Sequence, residues 1–166
     1  MTQLNEIYNR RILELSASIP AAGRVPDADA TATAHSKLCG STVTVDIKLT
    51  GDQVTAYGHT VKACLLGQAA ASVMGRNILG SDARELREVG AAMRRMLKAD
   101  GPPPTGRWTD LAVLQPVKDY KARHASTLLV FDAVEAALAL AEARKKTTAG
   151  EAHAGPAAVP AASGKA

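Results

Sequence analysis

Thr42-Val43-Thr44-Val45-Asp46-Ile47-Lys48-Leu49, the turn Thr50-Gly51-Asp52-Gln53, and Val54-Thr55-Ala56-Tyr57-Gly58-His59-Thr60-Val61 form the stretch whose reading decides the fold. Val43, Val45, Ile47 and Leu49 fall on one face, with threonines and charges on the other. That is the period of two expected of a half-buried strand. The turn sends the chain back as an antiparallel partner. Gly58 inside the second run predicts a bulge or a close backbone approach.

This hairpin carries the chain's two cysteines toward one end of the sheet. Cys39 stands in Leu38-Cys39-Gly40-Ser41, just before the first strand, where Gly40 permits a tight turn. Cys64 follows the second strand and opens the small-residue helix Cys64-Leu65-Leu66-Gly67-Gln68-Ala69-Ala70-Ala71-Ser72. A helix N-terminus favours an anion, and the thiolate is the form of cysteine that binds metal or attacks sulfur. Taken singly, each thiol also reads as a small buried hydrophobe. Taken as a pair, they point to a metal, cluster or sulfur site.

Outward from the hairpin, Leu4, Ile7, Tyr8, Ile12 and Leu15 predict an amphipathic helix over residues 4–18, stopped by Pro20. Residues 27–36 are small and polar and read as an extended lead-in. The small-residue helix ends near Gly75 or Asn77. Gly80-Ser81 then sets up an N-cap for a charged helix with Leu86, Val89, Ala92, Met93, Met96 and Leu97 facing inward. Gly101-Pro102-Pro103-Pro104 terminates it. Leu111, Leu114 and Val117 predict a short apolar turn. The last helix is expected over residues 124–144, with Leu128, Leu129, Phe131, Val134, Leu138 and Leu140 on its apolar side. The expected fold class is α+β, a small antiparallel sheet with helices on one face. Residues 1–146 form one domain, and residues 147–166 an Ala/Gly/Pro-rich disordered tail.

Composition narrows the function classes. The chain has 166 residues, enough for a proper core, yet aromatics make up only 3%. The core must therefore be built from Ala, Val, Leu and Ile. The net charge of +4 is spread over helices beside acids, without the clustering or the stacking aromatics that nucleic-acid binding needs. No run is read as approaching the roughly 20 apolar residues of a bilayer span, and no basic, apolar leader opens the chain. A reduced, cytoplasmic protein without nucleic-acid or membrane partners is expected.

Two thiols do not complete a tetrahedral site, so further ligands are sought among the histidines. His35 stands four residues before Cys39, His59 five before Cys64, and His124 at the start of the last helix. His59 also reads as an ordinary strand histidine. His124 is the most suggestive, because a helix start projects side chains into a pocket.

Leu38-Cys39-Gly40, the hairpin, and Cys64 opening a helix with Gln68-Ala69-Ala70-Ala71-Ser72 together resemble the IscU/SufU/NifU N-terminal family of iron–sulfur cluster scaffolds. The resemblance spans roughly residues 4–140 and implies a SufE/NifU-like fold. It also implies a [2Fe–2S] cluster built from sulfur delivered by a cysteine desulfurase, held by three cysteines and an Asp or His, and passed to apo-proteins. Some members hold zinc there. Two departures stand out: the family's Asp after Cys-Gly is Ser41 here, and its third cysteine falls at Ser126. The site implied is Cys39 and Cys64, with His124 as a third ligand and water or Ser126 completing the shell. The function implied is a scaffold or carrier with no turnover of its own. The alternatives are a diverged paralogue that keeps the fold to bind a desulfurase, and a Cys–His enzyme pairing Cys64 with His59 or His124.

Overall fold

The computed structural model describes residues 8–154, with side chains through residue 146. Its elements are α1 (Arg10–Ala17), β1 (Ala30–His35), β2 (Thr42–Thr50), β3 (Gln53–Lys62), α2 (Leu65–Asn77), α3 (Ala83–Lys98), two 3-10 segments (Gly106–Asp119 and Lys121–Arg123) and α4 (His124–Ala154). The sheet is antiparallel in the order β1-β2-β3. The α+β class expected from the sequence is the architecture found.

Val43, Val45, Ile47 and Leu49 are buried, as their alternation requires. β1 is the element that sequence reading took for an extended lead-in. Ala30-Thr31-Ala32-Thr33-Ala34-His35 does alternate, and Ala30 and Ala32 are buried. A methyl group is too small to mark an apolar face by pattern alone. The small side chains of β1 suit the close packing of α4 on this strand.

Gly58 makes a close backbone approach, and the ladder's register shift lies elsewhere, between Lys48 and Leu49. Segment 21–23 pairs with β3, where the Gly23 amide donates to His59 O and the His59 amide to Ala21 O, each at 2.9 Å. The chain then passes over Gly58, where a Cβ would lie 2.5 Å from Gly23 O. Opposite Gly58 in the ladder stands Asp46, 1% exposed. Its carboxylate accepts from Arg24 Nε at 2.7 Å, the Val25 amide at 2.8 Å and Thr31 Oγ1 at 2.6 Å. A buried charge is tolerated when it is paired and hydrogen-bonded in this way. The covering segment thus owes its place to a missing side chain and a buried anion.

The helices begin and end near the predicted points, with instructive shifts. α1 starts at Arg10, capped by Asn9 Oδ1, which accepts from the Ile12 amide at 3.0 Å. Leu4 and Ile7 lie outside the described residues. α3 is capped by Asp82, not Ser81; the Asp82 carboxylate accepts from the Glu85 amide at 2.8 Å. Ser81 instead is buried and donates to Asn77 O. The apolar turn at Leu111, Leu114 and Val117 is a 14-residue 3-10 segment with Trp108, Leu111, Leu114 and Val117 buried.

α4 continues past residue 144 to Ala154, so residues 147–154 of the expected tail are helical; residues 155–166 lie outside the described part. Leu140 was expected on its apolar side but is 53% exposed, while Leu138 is fully buried. Two residues turn a helix by about 200°, so both cannot face the core. The expectation that no run reaches bilayer length also needs correction: residues 121–146 are long and apolar enough by length and composition. Of that stretch's most apolar window, 67% is buried, packed on β1, β2, α2 and α3. Its apolarity matches a core helix. The basic residues sit among acids as expected, with Arg87 paired to Glu142 and Arg94 to Asp132 and Glu135.

Candidate functional site

At the end of the sheet where β1 stops, β2 starts and β3 stops, three pieces of chain converge. The first is the β1–β2 loop, residues 36–41. It is closed by the Ser36 amide donating to Ser41 O at 2.9 Å and the Gly40 amide to Ser36 O at 2.8 Å. Gly40 has φ +72°, a left-handed conformation that glycine adopts without strain. The tight turn expected from Cys39-Gly40 is therefore present.

The second piece is the start of α2. Cys64 is its N-cap, with extended backbone and a side chain that accepts no hydrogen bond from the helix amides. Gln68 Nε2 donates to Ala63 O at 2.8 Å and steadies the approach to the cap. The third piece is the first turn of α4, which carries Ser126. α2 and α4 both begin here, so two positive helix ends meet at the site.

Gly67 makes this convergence sterically feasible. A Cβ there would lie 2.9 Å from Ser126 O and 2.8 Å from Ala63 Cβ. The first turns of α2 and α4 can touch because residue 67 has no side chain.

The sulfurs lie in a hydroxyl-rich setting. Cys39 Sγ is 2.9 Å from Ser41 Oγ and 3.5 Å from Ser36 Oγ. Cys64 Sγ is 3.4 Å from Ser126 Oγ. Ser36, Ser41 and Ser126 are 4%, 5% and 2% exposed, whereas Cys39 is exposed and Cys64 half-buried. Hydrogen bonding with the Ser41 hydroxyl, then with the Ser36 hydroxyl, then with the Ser41 amide, lowers the Cys39 thiol from 9.0 to about 7. Hydrogen bonds to the charged form stabilise it, so a substantial thiolate fraction exists near neutrality.

Of the residues singled out by sequence, Cys39 meets Ser41 and Cys64 meets Ser126 at this one end of the sheet. The histidines do not join them. His35 is exposed at the end of β1. His59 is 2% exposed, its Nδ1 2.9 Å from Tyr57 Oη and its Nε2 donating to Pro20 O at 2.8 Å. Both of its ring nitrogens are used in the core.

His124 heads α4 as expected, but its Nε2 donates to Val117 O at 3.0 Å and Lys118 O at 3.1 Å. It ties the preceding 3-10 segment to the helix. Among the described residues no three His, Cys, Asp or Glu side chains gather to hold a metal ion, so the expected Cys39–Cys64–His124 set is not formed. Sequence reasoning missed Ser36. The available signal was the loop Ser36-Lys37-Leu38-Cys39-Gly40-Ser41, where serines stand at both positions that close the loop.

No protein-family model and no curated protein matches the chain. Solved structures do. A nitrogen-fixing NifU-like protein (N-terminal) from Brucella abortus is 54% identical over 84% of this chain and 97% of its own, with a TM-score of 0.83. A protein of Fervidobacterium islandicum AW-1, described as a candidate iron–sulfur cluster assembly scaffold for the SUF system, shares the fold. It is 23% identical, covering 81% of this chain and 98% of its own at a TM-score of 0.74. A hypothetical protein at 16% identity has the same fold over 81% of this chain and 98% of its own, with a TM-score of 0.72. A fold match alone would leave the family open, but half-identity across nearly the whole of the Brucella domain does not. The chain belongs to the NifU-like N-terminal family.

Proposed function

We propose that the chain is a scaffold for iron–sulfur cluster assembly, with iron, sulfur and the nascent cluster as cargo held by Cys39 and Cys64. The observation that carries this reading is the contact of the Cys64 thiol with Ser126, the position where the family resemblance puts a third cysteine, at the end of the sheet where the Cys39 loop also closes. Thiolates suit iron–sulfur cargo, and the hydroxyls around Cys39 favour its thiolate form. A serine hydroxyl is a weaker donor than a thiolate. The cargo is therefore held by fewer strong ligands than in a three-cysteine site, and is released more readily to apo-protein acceptors. Sulfur arrives from a cysteine desulfurase, and the chain itself catalyses no turnover.

The test is anaerobic reconstitution with ferrous iron, cysteine and a cysteine desulfurase. The expected result is a visible cluster chromophore with acid-labile sulfide, and none in the Cys39→Ala/Cys64→Ala double variant. Equal iron and sulfide in both proteins would refute thiol-held cargo. Binding of the desulfurase without any chromophore would leave the diverged paralogue as the correct reading, in which the fold survives as a docking partner. Zinc content, measured in the same preparations, tests whether the thiols also hold that ion.

A further inference from the structure

Where the end of α3 meets the start of α4, an open cavity of about 400 Å³ is lined by Leu97, Lys98, Lys118, Lys121, His124 and Ala125. Three of these six residues are lysines, and none is a carboxylate. Asp100 and Asp119 line a neighbouring cavity that shares Leu97, Lys98 and Lys118. Lys118 is partly neutralised from that side, its Nζ lying 2.8 Å from Asp100 Oδ1. Among the described residues, neither Lys98 nor Lys121 makes an ion pair. Both are exposed. They differ in this from Arg87 and Arg94 of α3, which are paired with carboxylates of α4.

Charge of one sign in a concavity acts differently from the same charge spread over a convex surface. Apolar walls exclude water, and the field concentrates in the opening. Here Leu97 is 2% exposed and supplies an apolar floor, together with the Ala125 methyl and the aliphatic stems of the lysines. His124 is 7% exposed, and its Nε2 already donates to Val117 O and Lys118 O, so its ring serves as wall. α4 begins at the cavity, and its positive end adds to the same sign. One water's share of liquid volume is about 30 Å³. A lone inorganic anion would therefore leave most of this cavity to solvent.

We propose that this cavity is a docking site for an acidic segment of a protein partner, one that presents a glutamate or aspartate beside an apolar side chain. The carboxylate meets the Lys98 and Lys121 ammonium groups, and its apolar neighbour covers Leu97 and Ala125. Charge complementarity selects the occupant, because the cavity offers unpaired cations and no lining carboxylate to repel an acid. Its position gives the consequence. Ala125 adjoins Ser126, whose hydroxyl is 3.4 Å from Cys64 Sγ. A segment seated here brings the protein that carries it beside the thiol site. That consequence rests on the scaffold reading, in which sulfur is delivered and cargo removed at this place. The docking itself does not, because no lining residue is a thiol.

The experiment uses the full chain, metal-free and reduced, with a fluorescein-labelled peptide of alternating glutamate and leucine as the probe. Anisotropy reads affinity, and amide chemical shifts read location. Binding should shift the amides of Leu97, Lys121 and Ala125 and weaken several-fold as salt is raised to physiological strength. Lys98→Glu and Lys121→Glu should each weaken it several-fold. Arg84→Glu makes the same charge change at a side chain 85% exposed on α3 and should leave affinity unchanged. The wild-type shifts need no variant to fold. No binding, equal binding of a glutamine–leucine peptide, or shifts spread over lysines outside the cavity would overturn the proposal. Displacement of the peptide by an equal concentration of inorganic phosphate would do so too, by making the ligand a free anion. So would a single-stranded oligonucleotide that shifts the same amides at lower concentration. The two readings also fail separately. Peptide docking on a protein that never assembles a cluster removes the scaffold reading and leaves the docking site standing. Cluster assembly on a protein that ignores the peptide does the reverse.

Discussion

Cys64 Sγ stands 3.4 Å from Ser126 Oγ, across a boundary between two helices whose first turns have met. Cys64 is the cap of α2 and Ser126 belongs to the opening turn of α4, whose hydroxyl also donates to Arg123 O at 3.3 Å. Ser126→Cys would place a third sulfur beside Cys64 Sγ. Replacing hydroxyl by thiol enlarges one atom and supplies a softer ligand for iron. Ser126→Cys is expected to retain reconstituted cluster several-fold longer under a chelator challenge than the wild-type protein. Decay of the visible chromophore measures it. Equal decay rates would show that residue 126 does not face the cargo.

Cys39 owes its lowered thiol to three neighbours, of which the Ser41 hydroxyl is the largest contributor. The thiol is held near about 7 rather than 9.0, so the reactive thiolate fraction should rise through neutral pH. Alkylation of Cys39 by iodoacetamide, followed by mass spectrometry on metal-free protein, should show a midpoint near that value. Ser41→Ala removes the 2.9 Å contact and should move the midpoint upward. The same midpoint in both proteins would count against the hydroxyl as the cause.

The convergence of Cys39 and Cys64 was legible in the sequence because it follows from strand alternation and hairpin geometry. Val43 to Leu49 set the face, the turn at Gly51 sets the direction, and the two cysteines flank the strands so joined. The His124 ligand was not legible, and the reason is physical. Position at a helix start says that a side chain lies near the site, but not which way the ring turns. In the fold, the carbonyls of Val117 and Lys118 draw the ring's Nε2 toward the 3-10 segment. A local sequence pattern does not record where a non-helical segment ends its carbonyls. β1 was missed for another reason, since alanines alternating with threonines carry too little apolar contrast. Ser36 was missed because serine in a loop is the default expectation.

Gly67 is where packing and site depend on one atom. Alanine is favoured over glycine inside a helix by about 1 kcal/mol, which alone would stabilise α2. Against that, the added methyl would sit 2.9 Å from Ser126 O and 2.8 Å from Ala63 Cβ. Ser126 O belongs to backbone at a buried helix junction and has little room to yield, and overpacking of this kind costs ~1–3 kcal/mol. The strain should win, so Gly67→Ala is expected to lower stability by about 1 kcal/mol net and to reduce cluster loading. Urea unfolding and reconstitution measure the two effects. A more stable variant with full loading would mean that α2 and α4 do not meet as closely as described.

His59 gives the fold a pH dependence of predictable sign. Its Nε2–H donates to Pro20 O, so the neutral ring accepts the Tyr57 hydroxyl at Nδ1. Burial lowers the imidazole below its ordinary 6.5, only partly offset by the hydrogen bond to Pro20. The unfolded chain therefore binds a proton more readily than the native one. By linkage, this contribution to stability is fully present above about 6.5 and is lost as pH falls from there through the depressed native value. Chemical denaturation at pH 7.5 and at successively lower pH should show stability falling across that window. His59→Gln keeps an amide that can donate and accept but removes the titration, so its stability should vary less over the same range. The variant is expected to start about 1–3 kcal/mol lower, because either Pro20 O or the Tyr57 hydroxyl loses its well-placed partner. A wild-type and variant pair with parallel pH profiles would exclude His59 as the titrating group.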